Sequence, residues 1–327
     1  MDKIKVAFIY KSSNIFMTGK HFDNNYYNFF LKALPRNRSI EVTNFTEEEK
    51  FDVEKLQNKF DIILLWQNNE FGTPDLINIR NSKIPVITRC ADPREAKITK
   101  KYHKKWKIDY YFHFWPESFF HSFLPKDFKY KSIIYGLESA LYKNTNTFED
   151  RIKNKILNSG ATGNSKPVSK IINDLRNPKW NAYRVYYLRT IINNLDYVDY
   201  FPVSPKNKFV GDKFPQLLQK YQTAVAASTV TTVAKMWEIP AAGCMTFLEV
   251  NEKNDANFVG FKDKENVIFI NEKNYKEKFQ EYLETVDDSK WKNIAEKGRK
   301  FVIDNLNNDK AVESLVELMQ CVINDRN

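Results

Sequence analysis

Lys235-Met236-Trp237-Glu238-Ile239-Pro240-Ala241-Ala242-Gly243-Cys244-Met245-Thr246-Phe247-Leu248-Glu249 is the stretch that decides how this chain folds. Its first part reads as a short helix, running from about Thr231 and stopping at Gly243, because glycine takes the left-handed backbone of a helix C-terminus without strain. Met245 to Leu248 then forms a short apolar run of the kind covered on both faces in a parallel sheet. A helix that leads straight into a buried strand is the repeating unit of an α/β fold. Two carboxylates mark the unit, Glu238 on the helix and Glu249 at the strand end.

The same alternation extends in both directions. Residues 5–10, 40–43, 61–66, 84–88 and 110–114 read as strands in the first half. Residues 22–34 read as a helix, Thr46-x-x-Glu49 as a capping box opening a helix to about Phe60, and Thr73-Pro74-Asp75 as another helix start. A charged connector at 143–153 precedes a second series. Strands are predicted at 155–158, 183–187, 223–226, 245–248 and 267–270, and helices at 168–175, 214–221 and from Tyr275 onward. Val312, Leu315, Val316, Leu318 and Met319 share one face of the last helix. This rhythm predicts doubly wound α/β domains, and 327 residues exceed what one growing core holds, so two are expected.

Composition narrows the function classes. A hydrophobic fraction of 42% and a charged fraction of 28% are ordinary for a globular chain. The apolar run in residues 1–10 is short for a signal sequence, and nothing approaches the roughly 18 apolar residues of a membrane span. A cytoplasmic protein is expected, with peripheral contact to anionic membrane as the variant. Three widely spaced cysteines (Cys90, Cys244, Cys321) offer neither a disulfide framework nor a zinc site, and they are expected to be reduced and buried. The four histidines form no metal-ligand pair, so no metal is expected. The net charge of +10 suits anionic partners, and it is spread evenly: residues 1–150 carry 24 basic and 19 acidic side chains, the remainder 27 and 22.

In open α/β sheets the residues just after each strand meet the ligand. Lys11-Ser12-Ser13-Asn14, followed by Gly19, Lys20 and His21, is not a G-x-G-x-x-G loop, which removes the main support for a nicotinamide enzyme. Asp92, before Pro93, either caps the next helix or faces a bound acceptor as a base. Lys97, Lys100, Lys101, Lys104 and Lys105 ride on an amphipathic helix whose apolar side is Ile98, Tyr102 and Trp106. Such a face is either simply solvated or a contact for a polyanion. Asn158-Ser159-Gly160-Ala161-Thr162-Gly163 is the densest Gly/Ser/Thr loop, and its amides suit phosphate oxygens, although a tight strand-to-helix turn needs glycine anyway. Glu238 can accept two hydrogen bonds from vicinal ribose hydroxyls, and Lys235, one turn earlier, can meet a pyrophosphate; an ordinary Lys–Glu pair is the alternative.

These residues carry a resemblance. Glu238-Ile239-Pro240-Ala241-Ala242-Gly243 resembles the donor-site Glu-Ala-Met-Ala-Cys-Gly segment of GT-B glycosyltransferases of the group 1 / family 4-like kind. Lys155 to Thr162 resembles the Ile-Leu-x-Ser-Gly-Ala-Thr start of the donor domain in the CgeB-like (spore maturation protein) branch. Gly260 to Val267 and Ile294-Ala295-Glu296-Lys297-Gly298-Arg299 are similar to later family segments. Two departures stand out: Val230 occupies the position of a further family Glu, eight residues before Glu238, and Lys166-Pro167-Val168-Ser169-Lys170 replaces Tyr-Pro-Leu-Arg.

The resemblance implies two Rossmann-like, doubly wound domains facing across a cleft: residues 1–145 for the acceptor, 146–310 for a nucleotide-sugar donor, and a helix at 311–327 returning to the first. It implies sugar transfer from a nucleotide diphosphate sugar, with no metal and no further cofactor. Glu238, Ser159, Gly160, Thr162, Lys170 and Gly243 would hold the donor, Lys235 would stabilise the leaving diphosphate, and Asp92 or His21 would activate the acceptor. The acceptor would be a glycan, a lipid-linked group or a protein. Alternatives are a nucleotide-sugar epimerase or hydrolase, a non-catalytic surface-assembly or binding protein, and a nucleic-acid glycosylating enzyme.

Overall fold

A computed structural model describes residues 3–163, 185–202, 207–229, 231–251 and 256–326, with Val168, Ile171, Ile172 and Leu175. The chain forms two compact units, Met1–Gly136 with Asn308–Asn327, and Leu137–Asn307.

The first unit holds β1 (Ile4–Tyr10), β2 (Ile40–Thr46), β3 (Lys50–Asp52), β4 (Ile62–Leu65), β5 (Asp75–Ile77), β6 (Val86–Arg89), β7 (Tyr110–His113) and β8 (Tyr130–Ser132). Six of these make one sheet in the order β2-β1-β4-β6-β7-β8, and every pair in it is parallel. The apolar run Ile62–Leu65 shows why: all four residues are fully buried, with Ile62 and Leu64 on one face and Ile63 and Leu65 on the other. The first face packs on Phe29, Phe30 and Tyr135 and on Val312, Leu315 and Met319 of the last helix, Asn308–Asn324. The second packs on Tyr102, Trp106 and Phe120. Those come from α2 (Ala96–Lys105) and α3 (Glu117–His121), α1 being the single turn Asn25–Tyr27, which continues as a π-helical segment, Asn28–Ala33.

Four local readings are corrected. Residues 46–60 do not form a capped helix. Thr46 ends β2, and the Glu48 carboxylate is taken by Ser13 N–H at 2.8 Å and by the hydroxyls of Ser12 and Ser13. Phe51 instead alternates inward on β3, against Phe45, and the short turn Val53–Leu56 is capped by Asp52, which accepts from Glu54 N–H at 3.1 Å. Asp75 opens β5 rather than a helix, held by Lys105 Nζ at 2.6 Å and Trp106 Nε1 at 3.1 Å. Val185 and Tyr187 are helical rather than extended, leading into α4 (Tyr187–Ile192). Cys321 is exposed, whereas Cys90 and Cys244 are buried.

The second unit holds β9 (Ile152–Ser159), β10 (Val198–Phe201), α5 (Phe214–Leu218), β11 (Tyr221–Ala226), α6 (Lys235–Ala241), β12 (Met245–Glu249), β13 (Ile268–Ile270), α7 (Tyr275–Glu284) and α8 (Ser289–Asn305). Its strands are again all parallel, in the order β10-β9-β11-β12-β13. Residues 236–241 of α6 are all buried, the Glu238 carboxylate among five apolar neighbours. Pro240 and Gly243 (φ +77°) stop it, and Arg151 packs where a side chain at 243 would stand.

Helix α8 approaches this layer through Gly298, where a Cβ would lie 2.4 Å from the Asn266 carbonyl oxygen. Alanine gains about 1 kcal/mol of helix propensity there, but overpacking against fixed backbone costs about 1–3 kcal/mol. Gly298→Ala is therefore expected to lower the thermal midpoint by a few degrees, and an unchanged or raised melting curve would contradict this packing.

Candidate functional site

In the second unit the winding reverses beside β9, since β10 lies on one side of it and β11 on the other. Ligands of open parallel sheets bind outside the strand ends at such a reversal. The residues there are Asn158, Ser159 and Gly160 after β9, Ala227 and Ser228 after β11, and Glu249 at the end of β12.

Polar groups at the ends of otherwise apolar strands give the place its character. Arg189 on α4 is 4% exposed. Its Nη1 donates to the Ala161 carbonyl at 2.6 Å and its Nη2 to the Ala227 carbonyl at 2.7 Å, while its buried Nε has no partner among the described residues. Asn158 fixes the helix that carries it, donating to the Arg189 carbonyl at 2.9 Å. The Lys235 side chain is half-buried, but its ammonium end is enclosed and donates to the Ser159 carbonyl. Both cations converge on Gly160 (φ +114°), where a Cβ would lie 2.7 Å from Lys235 Nζ and 2.9 Å from Arg189 Nη1. Only a residue without a side chain leaves this spot open.

Burial sets the electrostatics. It holds the Lys235 ammonium well below its usual pKa, with Arg189 adding to the effect and Glu238 and Glu249 opposing it. Burial also lowers Arg189. The Glu249 carboxyl is raised by burial, against its bonds from Ser228 N–H at 2.8 Å and Asn251 Nδ2 at 3.2 Å. Glu249 thereby ties together the loops after β11 and β12. Glu238, in the first turn of α6, is buried at 9% exposure.

The sequence-predicted residues divide accordingly. Ser159, Gly160, Lys235 and Glu238 come together at the strand ends of the second unit. Thr162 lies at the same loop, with its hydroxyl 3.5 Å from that of Tyr200, which donates to the Gly160 carbonyl at 2.8 Å. The Gly160 amide is already committed, donating to Phe201 at 3.2 Å. Gly243 sits at the far end of α6 from Lys235 and shapes the helix terminus. Lys170, Val230 and residues 164–167 lie outside the described residues. Arg189 went unread in the sequence, although an arginine inside Tyr187-Leu188-Arg189-Thr190-Ile191-Ile192 interrupts an apolar helical run and so signals a buried charge.

In the first unit Asp92 caps the turn Pro93–Glu95, accepting from Arg94 N–H at 2.9 Å and pairing with the Arg94 guanidinium at 3.0 Å. His21 Nδ1 accepts from Asp23 N–H at 3.0 Å, and its ring lies against Phe16 and Phe22. The strand ends of this unit hold a second unread group. Arg89, 5% exposed, reaches the Trp66 carbonyl at 3.3 Å, the Cys90 carbonyl at 3.1 Å and the Gln67 side chain, with its guanidinium carbon 4.2 Å from the Trp66 ring centroid. His113 Nε2 lies 3.3 Å away, and burial holds this imidazole well below its usual pKa, hence neutral. Lys97, Lys100, Lys101, Lys104 and Lys105 are exposed on α2, with Lys105 paired to Asp75. Among the described residues no group of His, Cys, Asp and Glu is arranged to hold a metal, and no helix is long and apolar enough to cross a membrane.

No protein-family model matches this chain, and no curated protein matches it by sequence. Solved structures do. Sucrose-phosphate synthase from Thermosynechococcus elongatus is similar with a TM-score of 0.60 at 10% identity, over 99% of this chain and 100% of that one. HepE from Anabaena, in complex with UDP and glucose, gives 0.55 at 12% identity over 97% and 100%. An alpha-glucosyltransferase in complex with UDP-glucose and DNA containing an abasic site gives 0.54 at 10% identity over 97% and 99%. The fold is GT-B. It accounts for the two parallel sheets and for polar residues gathered at strand ends in both units, as expected of two Rossmann-like domains.

Proposed function

We propose that this protein is a glycosyltransferase that takes a sugar from a nucleotide diphosphate sugar. The observation that carries the reading is the convergence of Arg189 and Lys235 on the bare Cα of Gly160 at the β9 end, with the buried Glu238 carboxylate one turn beyond Lys235. A diphosphate needs concentrated positive charge and close approach to backbone, and a ribose diol needs a carboxylate acceptor. That HepE and the alpha-glucosyltransferase are seen with UDP or UDP-glucose supports the same reading.

In this scheme the second unit binds the donor and the first binds the acceptor. Charge building on the departing diphosphate is stabilised by Lys235 and Arg189, already fixed in place by carbonyl bonds, so little reorganisation accompanies reaction. Asp92 and His21 are proposed for acceptor activation, Lys170 for further charge at the donor, and the lysine face of α2 for contact with a polyanion such as a membrane surface. Metal-independent transfer and a cytoplasmic site of action belong to this proposal too, as does kinship with the CgeB-like branch.

A panel of nucleotide sugars, scored by thermal stabilisation and nucleotide release, tests it. One nucleotide should stand out; no stabilisation by any would sink the reading, and epimerised free sugar without an acceptor would favour an epimerase or hydrolase. Glu238→Ala should weaken donor binding about 10- to 100-fold, the worth of hydrogen bonds to a charged group. Unchanged affinity would remove Glu238 from the site. An acceptor of nucleic acid, favoured by the net charge of +10 and by the DNA-bound neighbour, predicts DNA binding that falls steeply with salt.

A further inference from the structure

The first unit carries a feature that donor binding does not use. Phe71 is 67% exposed, Ile15 51% and Phe22 38%. They stand on the loops that follow β1 and β4, neighbouring strands between which the winding of this sheet reverses. The two loops are joined, Lys11 N–H donating to the Gly72 carbonyl at 3.0 Å.

Both loops present their apolar residues from locked turns. Asn69 Oδ1 accepts from Phe71 N–H at 3.1 Å and Gly72 N–H at 3.2 Å. Gly72 fits so closely on Trp66 that a Cβ would lie 2.3 Å from the indole. On the other loop Asn14 Oδ1 accepts from Phe16 N–H at 3.1 Å and starts the turn Ile15–Met17. Below them the rings run on without a break: Phe16 lies 5.9 Å from Trp66 and 4.2 Å from His21, and His21 lies 4.0 Å from Phe22.

Scattered exposed hydrophobics need no explanation, but these three stand on two ordered loops that are hydrogen-bonded to each other, an arrangement that suits a binding surface. Their place at a winding reversal, beyond the strand ends, is where an open α/β sheet receives a small ligand. We infer that Ile15, Phe22 and Phe71 form an apolar rim for an acceptor whose hydroxyl-bearing part is joined to an aliphatic or aromatic group. The word acceptor rests on the transferase reading; the apolar preference does not. Lys11, Ser12 and Ser13 precede the rim on the same loop; both serine hydroxyls donate to Glu48, which leaves their oxygens to accept from a ligand hydroxyl and the Lys11 ammonium to donate to one.

The probes are octyl and methyl β-D-glucopyranoside, the former kept below its micelle concentration, with binding to the full chain followed by saturation-transfer NMR. Octyl glucoside should bind at least about tenfold tighter, the factor that roughly two buried methylenes supply. Phe71→Ser alone should narrow the difference, and Ile15→Ser with Phe71→Ser should erase it, with near-native melting curves confirming the fold. Equal binding of the two glycosides by the wild-type chain, or a difference that survives the double variant, overturns the proposal. UDP-glucose stabilisation of the wild-type chain is scored separately. If no nucleotide sugar binds while the octyl preference holds, the transferase reading falls and the rim stands as a site for amphipathic ligands.

Discussion

Arg189→Met is expected to reduce nucleotide diphosphate affinity about 100-fold while leaving the fold in place. Hydrogen bonds to charged groups contribute about 1.5–3 kcal/mol each, and a diphosphate at Gly160 would meet this guanidinium and the Lys235 ammonium together. Stability should respond differently. Methionine leaves the Ala161 and Ala227 carbonyls without their donor, which destabilises, but it also removes a cation that is 4% exposed together with its desolvation cost, so the two effects oppose each other. Calorimetry with the nucleotide found by the panel, run beside a thermal melt, reads both quantities. Undiminished affinity would make Arg189 a strut for the loops after β9 and β11 and nothing more. Unfolding of the variant would show that the carbonyl bonds outweigh the desolvation of the charge.

The contrast between Arg189 and Glu238 shows what the sequence reveals and what it hides. The setting of Glu238 was legible because it is local: its helix, the glycine five residues on and the buried strand lie in one stretch, while its role in binding remains a proposal. The strands were legible for a similar reason. Ile62–Leu65 and Met245–Leu248 are short apolar runs buried on both faces, and burial of that kind leaves no alternation to misread. The capping box at Thr46 and the proline at 74 misled because local propensity competes with long-range pairing, and β3 and β5 found each other. Arg189 stayed hidden because its role depends on which strands are neighbours. Only when β9 lies between β10 and β11 do the carbonyls of Ala161 and Ala227 reach one guanidinium, and strand order is not written in any single segment. Asp92 admitted two readings, and its bonds to Arg94 are those of the cap. Glu249 looked like a strand terminus and proved also to be the clamp on Ser228.

Lys235→Met should lower kcat about 100- to 1,000-fold, the usual loss on removing one preorganised charge or donor from a developing anion. A merely structural lysine would not show the accompanying signature in pH. Burial lowers the Lys235 pKa in the free protein, so below that lowered value the folded state carries an ammonium at an energetic cost, and the cost disappears as pH rises through the window toward 10.5. A bound diphosphate favours the charged form and raises the pKa again. Between the two values binding must take up a proton, and affinity must fall as pH rises. Titrations in buffers of different ionisation enthalpy should therefore give different apparent heats for the wild-type chain and equal heats for Lys235→Met. Equal heats in the wild type across the alkaline range would mean that the ammonium does not meet the diphosphate, and leaving-group stabilisation would then rest on Arg189 alone.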